Sequence, residues 1–247
     1  MAVSPAPDFI KKLDSFFARE DVGGASAYLE ELYRRFSSNG ESGNLLTVLD
    51  EIIGLCRQTG EESRALSAIE EAKELVEKLG LENSVTAGTV CLNCATTLKC
   101  FGKSAQAMPF YEKTGVIYDR FLDENDPLKA GLYNNMALAL ADIGKTDQAE
   151  EYFRKAIAVT LTDKRNALET AVSYVNLAHL LFDKNPIDKE IDTLLDSAYE
   201  ILLTPDYFNY DKYAFTCRKC APSFGYFGRF LQEKKLNERA DEVYAGA

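Results

Sequence analysis

Between residues 126 and 159 the chain reads "DPLKAGLYNNMALALADIGKTDQAEEYFRKAIAV". Tyr133, Met136, Ala137 and Leu140 recur at steps of three and one to three. Past Gly144, Ala149, Phe153 and Ala156 follow at steps of four and three. Each run places its apolar side chains on one helical face, so the pattern predicts two helices joined by a tight turn. Asp126 can cap the free amides of the first helix, and Pro127 is tolerated at the first helical position. Gly144 supplies the left-handed residue that ends it. Glu150 and Glu151 fall on the outer face of the second helix. Small residues then have a definite place. Antiparallel helices approach closely only where small side chains meet. Ala137 and Ala149 make that room, Ala156 lets a neighbour dock, and Tyr133, Leu140 and Phe153 fill the surrounding space. A larger residue at Ala137 should overpack the crossing at a cost of roughly 1–3 kcal/mol.

The same design recurs along the chain. At a shift of 42 residues, Gly60, Gly102 and Gly144 share a column, as do Ala65, Ala107 and Ala149. Ala72, Thr114 and Ala156 share another, and so do Ile69, Tyr111 and Phe153. Upstream in each unit, Asn93 aligns with Asn135 and Ala95 with Ala137. At a shift of 41 these two columns continue into Asn176 and Ala178. A fixed period in this range marks a stacked repeat architecture. The units run approximately over 8–36, 46–80, 84–121, 127–160, 165–203 and 211–246. In the fifth, the turn is altered to "DKNPIDKE", and Ile191, Leu195 and Ala198 take up the second-helix pattern one residue late. Ala25, Leu29 and Leu32 mark an opening pair. Gly228, Leu231, Ala240 and Tyr244 mark a closing pair. "SSNGESGN" (37–44) reads as a short turn-rich connection. No linker or low-complexity segment interrupts the array, so one domain over 1–247 is expected.

These columns resemble the tetratricopeptide repeat, and the long period looks most like the 42-residue variety of kinesin light chains. The resemblance is clearest over 127–160, extends through 84–121, 46–80 and 165–203, and thins at both ends, where terminal units cap the stack. It implies an all-α fold: a right-handed α-α superhelix of five to six stacked antiparallel helix pairs, a TPR-like solenoid.

At 247 residues and 46% hydrophobic composition the chain can bury an ample core. The net charge of -11 argues against a nucleic-acid partner, because phosphate contacts need clustered Lys and Arg. It also disfavours an anionic membrane surface and mildly favours basic or neutral partners, besides keeping the protein soluble. "MAVSPAPDFIKKLD" has no apolar run behind a basic start, and no stretch approaches bilayer length. A cytoplasmic location, with the six cysteines reduced, is the expectation.

In a superhelix of this kind the first helix of each pair lines the concave face. Helical spacing puts Asp50, Glu51 and Arg57 there in the second unit, and Thr89, Leu92, Asn93, Thr96 and Lys99 in the third. The fourth contributes Asn134, Asn135, Leu138, Ala141 and Asp142, and the fifth Val172, Val175, Asn176, His179 and Asp183. Asn93, Asn135 and Asn176 then form a ladder. An amide side chain offers both donor and acceptor, so it can hold the backbone of an extended peptide without reading its side chains. The resemblance implies that use; the alternative is that each Asn bonds a neighbouring helix. The groove lacks the clustered Lys and Arg that clamp a C-terminal carboxylate in some of these domains.

His179 is the only histidine, which rules out a His-based metal cluster, and it reads as a partly exposed groove residue or a contact. Two C-x-x-C pairs, Cys91/Cys94 and Cys217/Cys220, have the spacing of zinc ligands. The repeat argues otherwise. Cys91 sits in the column of Tyr133 and Tyr174, Cys94 in that of Met136 and Leu177, and both columns are core. No metal or other cofactor is expected. The stretch 206–230 is rich in aromatics: Tyr207, Phe208, Tyr210, Tyr213, Phe215, Phe224, Tyr226, Phe227 and Phe230, with Arg218, Lys219 and Arg229 among them. Pro222 predicts a kink near Arg218. Phe224 and Phe227 read as a hydrophobic cap, and Tyr226 and Arg229 as contacts of a pocket closing one end of the groove. A homodimer interface is a third reading of the same stretch.

With no phosphate-binding glycine loop, no His-containing nucleophile arrangement and no acid pair tied to a pocket, the chain does not read as an enzyme. The expected function is a protein- or peptide-binding scaffold using the concave groove through Asn93, Lys99, Asn134, Asn135, Leu138, Asn176, His179, Tyr226 and Arg229. The alternative is a ligand- or peptide-sensing regulator that uses the aromatic end and acts through a partner protein.

Overall fold

The computed structural model describes residues 8–17, 19, 21–204 and 210–245. All regular structure among them is helical and falls into pairs. The pairs are α1 (Asp8–Phe17) with α2 (Val22–Asn39), α3 (Ser42–Thr59) with α4 (Glu62–Lys78), and α5 (Val85–Cys100) with α6 (Ser104–Phe121). They continue as α7 (Pro127–Asp142) with α8 (Thr146–Thr160), α9 (Ala167–Lys184) with α10 (Glu190–Leu203), and α11 (Tyr210–Tyr226) with α12 (Phe230–Ala245). A single 3-10 turn, Lys164–Asn166, leads into α9. Tyr207 and Phe208, and the side chains of Tyr210 and Tyr244, lie outside what is described. The architecture of the described residues is all-α, built of antiparallel helix pairs of the TPR-like kind. Among the described residues no helix is long and apolar enough to cross a membrane.

The chain forms two compact units, Met1–Ile117 and Tyr118–Ala247. In the first, α3 packs on α4 and also on α2 and α5. In the second, α7 packs on α8, α9 on α10 and α11 on α12, while the first helices lie side by side, α7 against α9 and α9 against α11.

The aligned columns are the core. Ala65, Ala107 and Ala149 are fully buried, as are Ala72, Thr114 and Ala156, and Ala95, Ala137 and Ala178. Ile69, Tyr111 and Phe153 fill the space these small residues leave. Thr114 also donates its hydroxyl to its own helix, at Phe110 O (2.9 Å), and to Gly88 O on α5 (3.2 Å). That satisfies a polar group in a position held by alanine elsewhere.

Three of the intra-pair turns share one mechanism. Gly144 has φ 77°, a conformation that costs a side-chain-bearing residue energy. Its N–H bonds Ala141 O at 2.9 Å, and the next N–H, of Lys145, bonds Leu140 O at 2.9 Å. Two carbonyls at the helix end are thereby satisfied. Gly102 and Gly228 repeat the pattern. At the other end of α7, the Asp126 carboxylate accepts from Leu128 N at 2.9 Å, with Pro127 in the first turn.

Three expectations need correction. "SSNGESGN" is not a connection of eight residues: α2 runs to Asn39 and α3 starts at Ser42. Gly40 (φ 69°) makes the reversal alone, and the Glu41 carboxylate accepts from the amides of Asn39 (3.2 Å) and Asn44 (2.8 Å), so the polar residues sit within helix ends. Leu231 is 85% exposed, and Leu236 takes the buried place in α12 ahead of Ala240. Val175 is buried instead of lining the inner face, because that side of α9 packs against the neighbouring first helices. Beyond Leu231, α12 turns Lys234, Asn237, Glu238, Asp241 and Glu242 to solvent.

Candidate binding recess on the first helices of the second unit

Three first helices side by side present three parallel stripes at helical spacing. From α7 come Gly131, Asn134 and Asn135; from α9, Leu168, Glu169, Val172 and Ser173; from α11, Lys212, Phe215, Thr216 and Lys219. Together they line a recess of about 290 Å³. Gly131 lacks a side chain, and a Cβ there would meet nothing within 4 Å, so the α7 backbone is open to the recess.

The two asparagines of α7 divide the work. Asn134 braces the wall: its amide oxygen accepts from Asn176 Nδ2 (3.0 Å) and Ser173 Oγ (3.4 Å) on α9. Asn135 donates Nδ2 to Gly131 O of its own helix (3.0 Å), and its amide oxygen has no donor among the described residues. On the facing side, the Lys212 ammonium meets Glu169 Oε1. Glu169 Oε2 is buried and accepts no hydrogen bond from the described residues. Lys219 has no carboxylate partner among them. Phe215, between the two lysines on the stripe, is 61% exposed. The recess thus offers an apolar ring, a free ammonium, an open amide oxygen and an unsatisfied carboxylate oxygen.

The other expected site residues lie elsewhere. Asn93 is held within the first unit. Its Nδ2 donates to Asp50 O (2.8 Å) and Asp50 Oδ1 (3.0 Å), and its oxygen accepts from Arg57 Nη1 (2.7 Å). Lys99 is half-buried near the end of α5, and Leu138 is half-buried on α7. His179 packs at a tilt against Tyr226 (5.1 Å between ring centroids) and Phe227 (4.8 Å), and Phe182 packs edge-on against the same two rings. Burial pushes the His179 pKa down, partly offset by the Asp183 carboxylate. Arg229 is tied down: Nη2 meets Asp192 Oδ1 at 2.6 Å, and Nη1 meets Asp196. It clamps α12 onto α10. The repeat pattern does not mark Phe215 and Lys212 as contacts, because the last unit aligns too poorly to place its inner stripe. Their spacing with Lys219 at steps of three and four was the available signal.

The cysteines of both C-x-x-C pairs are buried free thiols inside helices. Burial raises the pKa of all four, that of Cys220 to about 12. Among the described residues no group of His, Cys, Asp or Glu is arranged to hold a metal ion. Cys100 alone of the six is exposed. Thiol titration of the native protein at pH 8 should therefore show one fast-reacting group per chain, and six after denaturation. Two or more fast groups would mean that a C-x-x-C pair opens to solvent.

Residues 130–162 match the tetratricopeptide-repeat family model. No curated protein matches the sequence. Solved structures share the fold at low identity. The apo form of RapI superposes with a TM-score of 0.70 at 13% identity, covering 96% of this chain and 82% of that one. BtubC from P. vanneervenii gives 0.63 at 20%, covering 92% and 91%. The nearly identical TPR-like repeats of a kinesin-light-chain-type protein from Podosopora anserina give 0.58 at 17%, covering 81% and 95%. Residues 130–162 thus match a tetratricopeptide repeat, and the helix pairs, repeated small-residue crossings and glycine turns around them share the fold of these TPR-like structures.

Proposed function

We propose that this protein is a non-enzymatic scaffold that holds an extended segment of a partner protein in the α7/α9/α11 recess. Repeats of this fold generally serve as protein-interaction scaffolds, and that is the broad support. The observation that carries the finer reading is the set of unsatisfied groups converging there. The Asn135 amide oxygen and Glu169 Oε2 can accept backbone N–H groups. Lys219 can meet a carbonyl or carboxylate, and exposed Phe215 offers an aromatic anchor of the type that dominates binding hot spots. Asn134 and Asn176, bonded to each other, hold the wall on which Asn135 stands.

Selection of a displayed random-peptide library on the full chain tests this. Selected peptides should lose about tenfold or more in affinity to Phe215→Ala, and several-fold to Asn135→Ala and to Lys219→Glu. These positions are on the open face, so melting temperatures should stay within about 2 °C of wild type. Peptides that bind all three variants as tightly as wild type would place the interface elsewhere. Melting temperatures lowered in step with affinity would make the groups structural.

A further inference from the structure

A second recess lies on the first unit, away from the inner stripe, where α4, α5 and α6 meet. It measures about 290 Å³ and is lined by Val76, Val90, Cys91, Cys94, Pro109 and Phe110, with Lys73, Glu77 and Lys113 at its rim. The repeat itself says what is missing there. Cys91 stands in the column that Tyr133 and Tyr174 occupy, and Phe110 in that of Tyr152. In the second unit the Tyr133 ring lies 5.8 Å from the Tyr152 ring and fills that place. With cysteine in the column, the space beside Phe110 stays open. What remains is a ring-sized hollow with an aromatic wall and a floor of two sulfurs, which are soft, polarizable partners for a ring edge.

The rim adds charge. Lys73 Nζ lies 2.8 Å from Glu70 and 5.9 Å from the Phe110 ring centroid. Lys113, one turn beyond Phe110, has no carboxylate partner among the described residues. Glu77 is the one carboxylate in the lining. With Lys73 paired to Glu70, Lys113 is the ammonium at the rim left to meet an anion. We propose that this recess binds a small aromatic anion. A single flat ring takes the place that the Tyr133 ring holds in the fourth repeat, and its carboxylate or comparable oxyanion meets Lys113. The thiols stay protonated, so they present no competing charge to the anion. This site is independent of the peptide recess, shares no residue with it and sits in the other unit.

The test is a fluorine-NMR titration of para-fluorophenylacetate into the full chain, beside the uncharged para-fluorophenylacetamide. Wild type should shift the acid's line saturably, with about tenfold weaker response to the amide. Cys91→Tyr introduces the residue of the fourth and fifth repeats and fills the hollow; it should abolish binding without lowering the melting temperature. Lys113→Glu lies on the surface and should weaken acid binding by on the order of tenfold. Absence of saturable binding to wild type, unchanged binding by Cys91→Tyr, or equal binding of acid and amide would each overturn the proposal. Should Cys91→Tyr melt early, Lys113→Glu decides alone: unchanged acid binding by that variant refutes the assignment.

Discussion

Phe153→Ala is expected to destabilise the second unit by about 3–5 kcal/mol, the largest single effect of any substitution considered. Phe153 is 1% exposed, and the side chains that frame it, Ala137, Ala149 and Ala156, have no atoms to spare for the gap. Each is already at the smallest size that keeps a Cβ. The helices cannot close over a missing ring, because the backbones of α7 and α8 already meet through those alanines. The loss therefore includes both the transfer of the ring from water and the cavity it leaves. Urea denaturation followed by circular dichroism gives the value. Hydrogen exchange should show the loosening in α7 and α8 first, since repeat units are stabilised by near neighbours. A loss below about 1 kcal/mol would mean that the crossing collapses readily and that the small-residue columns do not set the helix spacing.

Asn93→Ala should destabilise the first unit by about 2–3 kcal/mol, whereas Asn135→Ala should change stability by less than about 0.5 kcal/mol. The two residues share a repeat column but not a role. The Asn93 amide fills three hydrogen bonds, two to Asp50 and one from Arg57. Removing it strands a half-buried guanidinium contact and a desolvated carboxylate together. Burial already raises the Asp50 pKa, and the Asn93 hydrogen bond pulls it back down. The sign of the pH effect follows. A carboxyl whose folded pKa lies above its unfolded value binds its proton more tightly when folded, so stability falls as pH rises through that interval. Without Asn93 the Asp50 pKa rises further and the fall steepens. The deficit of Asn93→Ala should therefore be smaller at pH 4 than at pH 7. Asp50→Asn keeps an acceptor for the Asn93 amide and removes the buried charge, so it should cost little at pH 7. Equal losses for Asn93→Ala and Asn135→Ala would show that the column has one structural function throughout.

The contrast between these asparagines shows where sequence reasoning reached its limit. Their alignment marks both as inner-face amides, and an amide is equally suited to a ligand backbone or to a neighbouring helix. The partner decides, and the partner lies a repeat away. Asp50 and Arg57 happen to reach Asn93; on α7, Asn134 takes the role of brace and bonds Asn176, which leaves Asn135 toward the recess. Arg229 shows the same limit. An arginine in an aromatic stretch suits a binding contact, but two carboxylates one turn apart on α10 claim it.

What the amino-acid order determined by itself is everything governed by local spacing. Apolar residues at helical intervals, alanines at each crossing, glycines where a left-handed residue is required and Asp126-Pro127 at a helix start define the pairs and their buried columns. Each depends on neighbours within one turn or on the next copy of the same pattern. Only the tertiary structure decided which polar side chains are consumed by the fold and which are left for a ligand. That outcome depends on distances between helices far apart in the chain, to which no periodicity refers. It is why Phe215, Lys219 and Asn135 meet in one recess, and why the hollow at Cys91 becomes a place where a ring can sit.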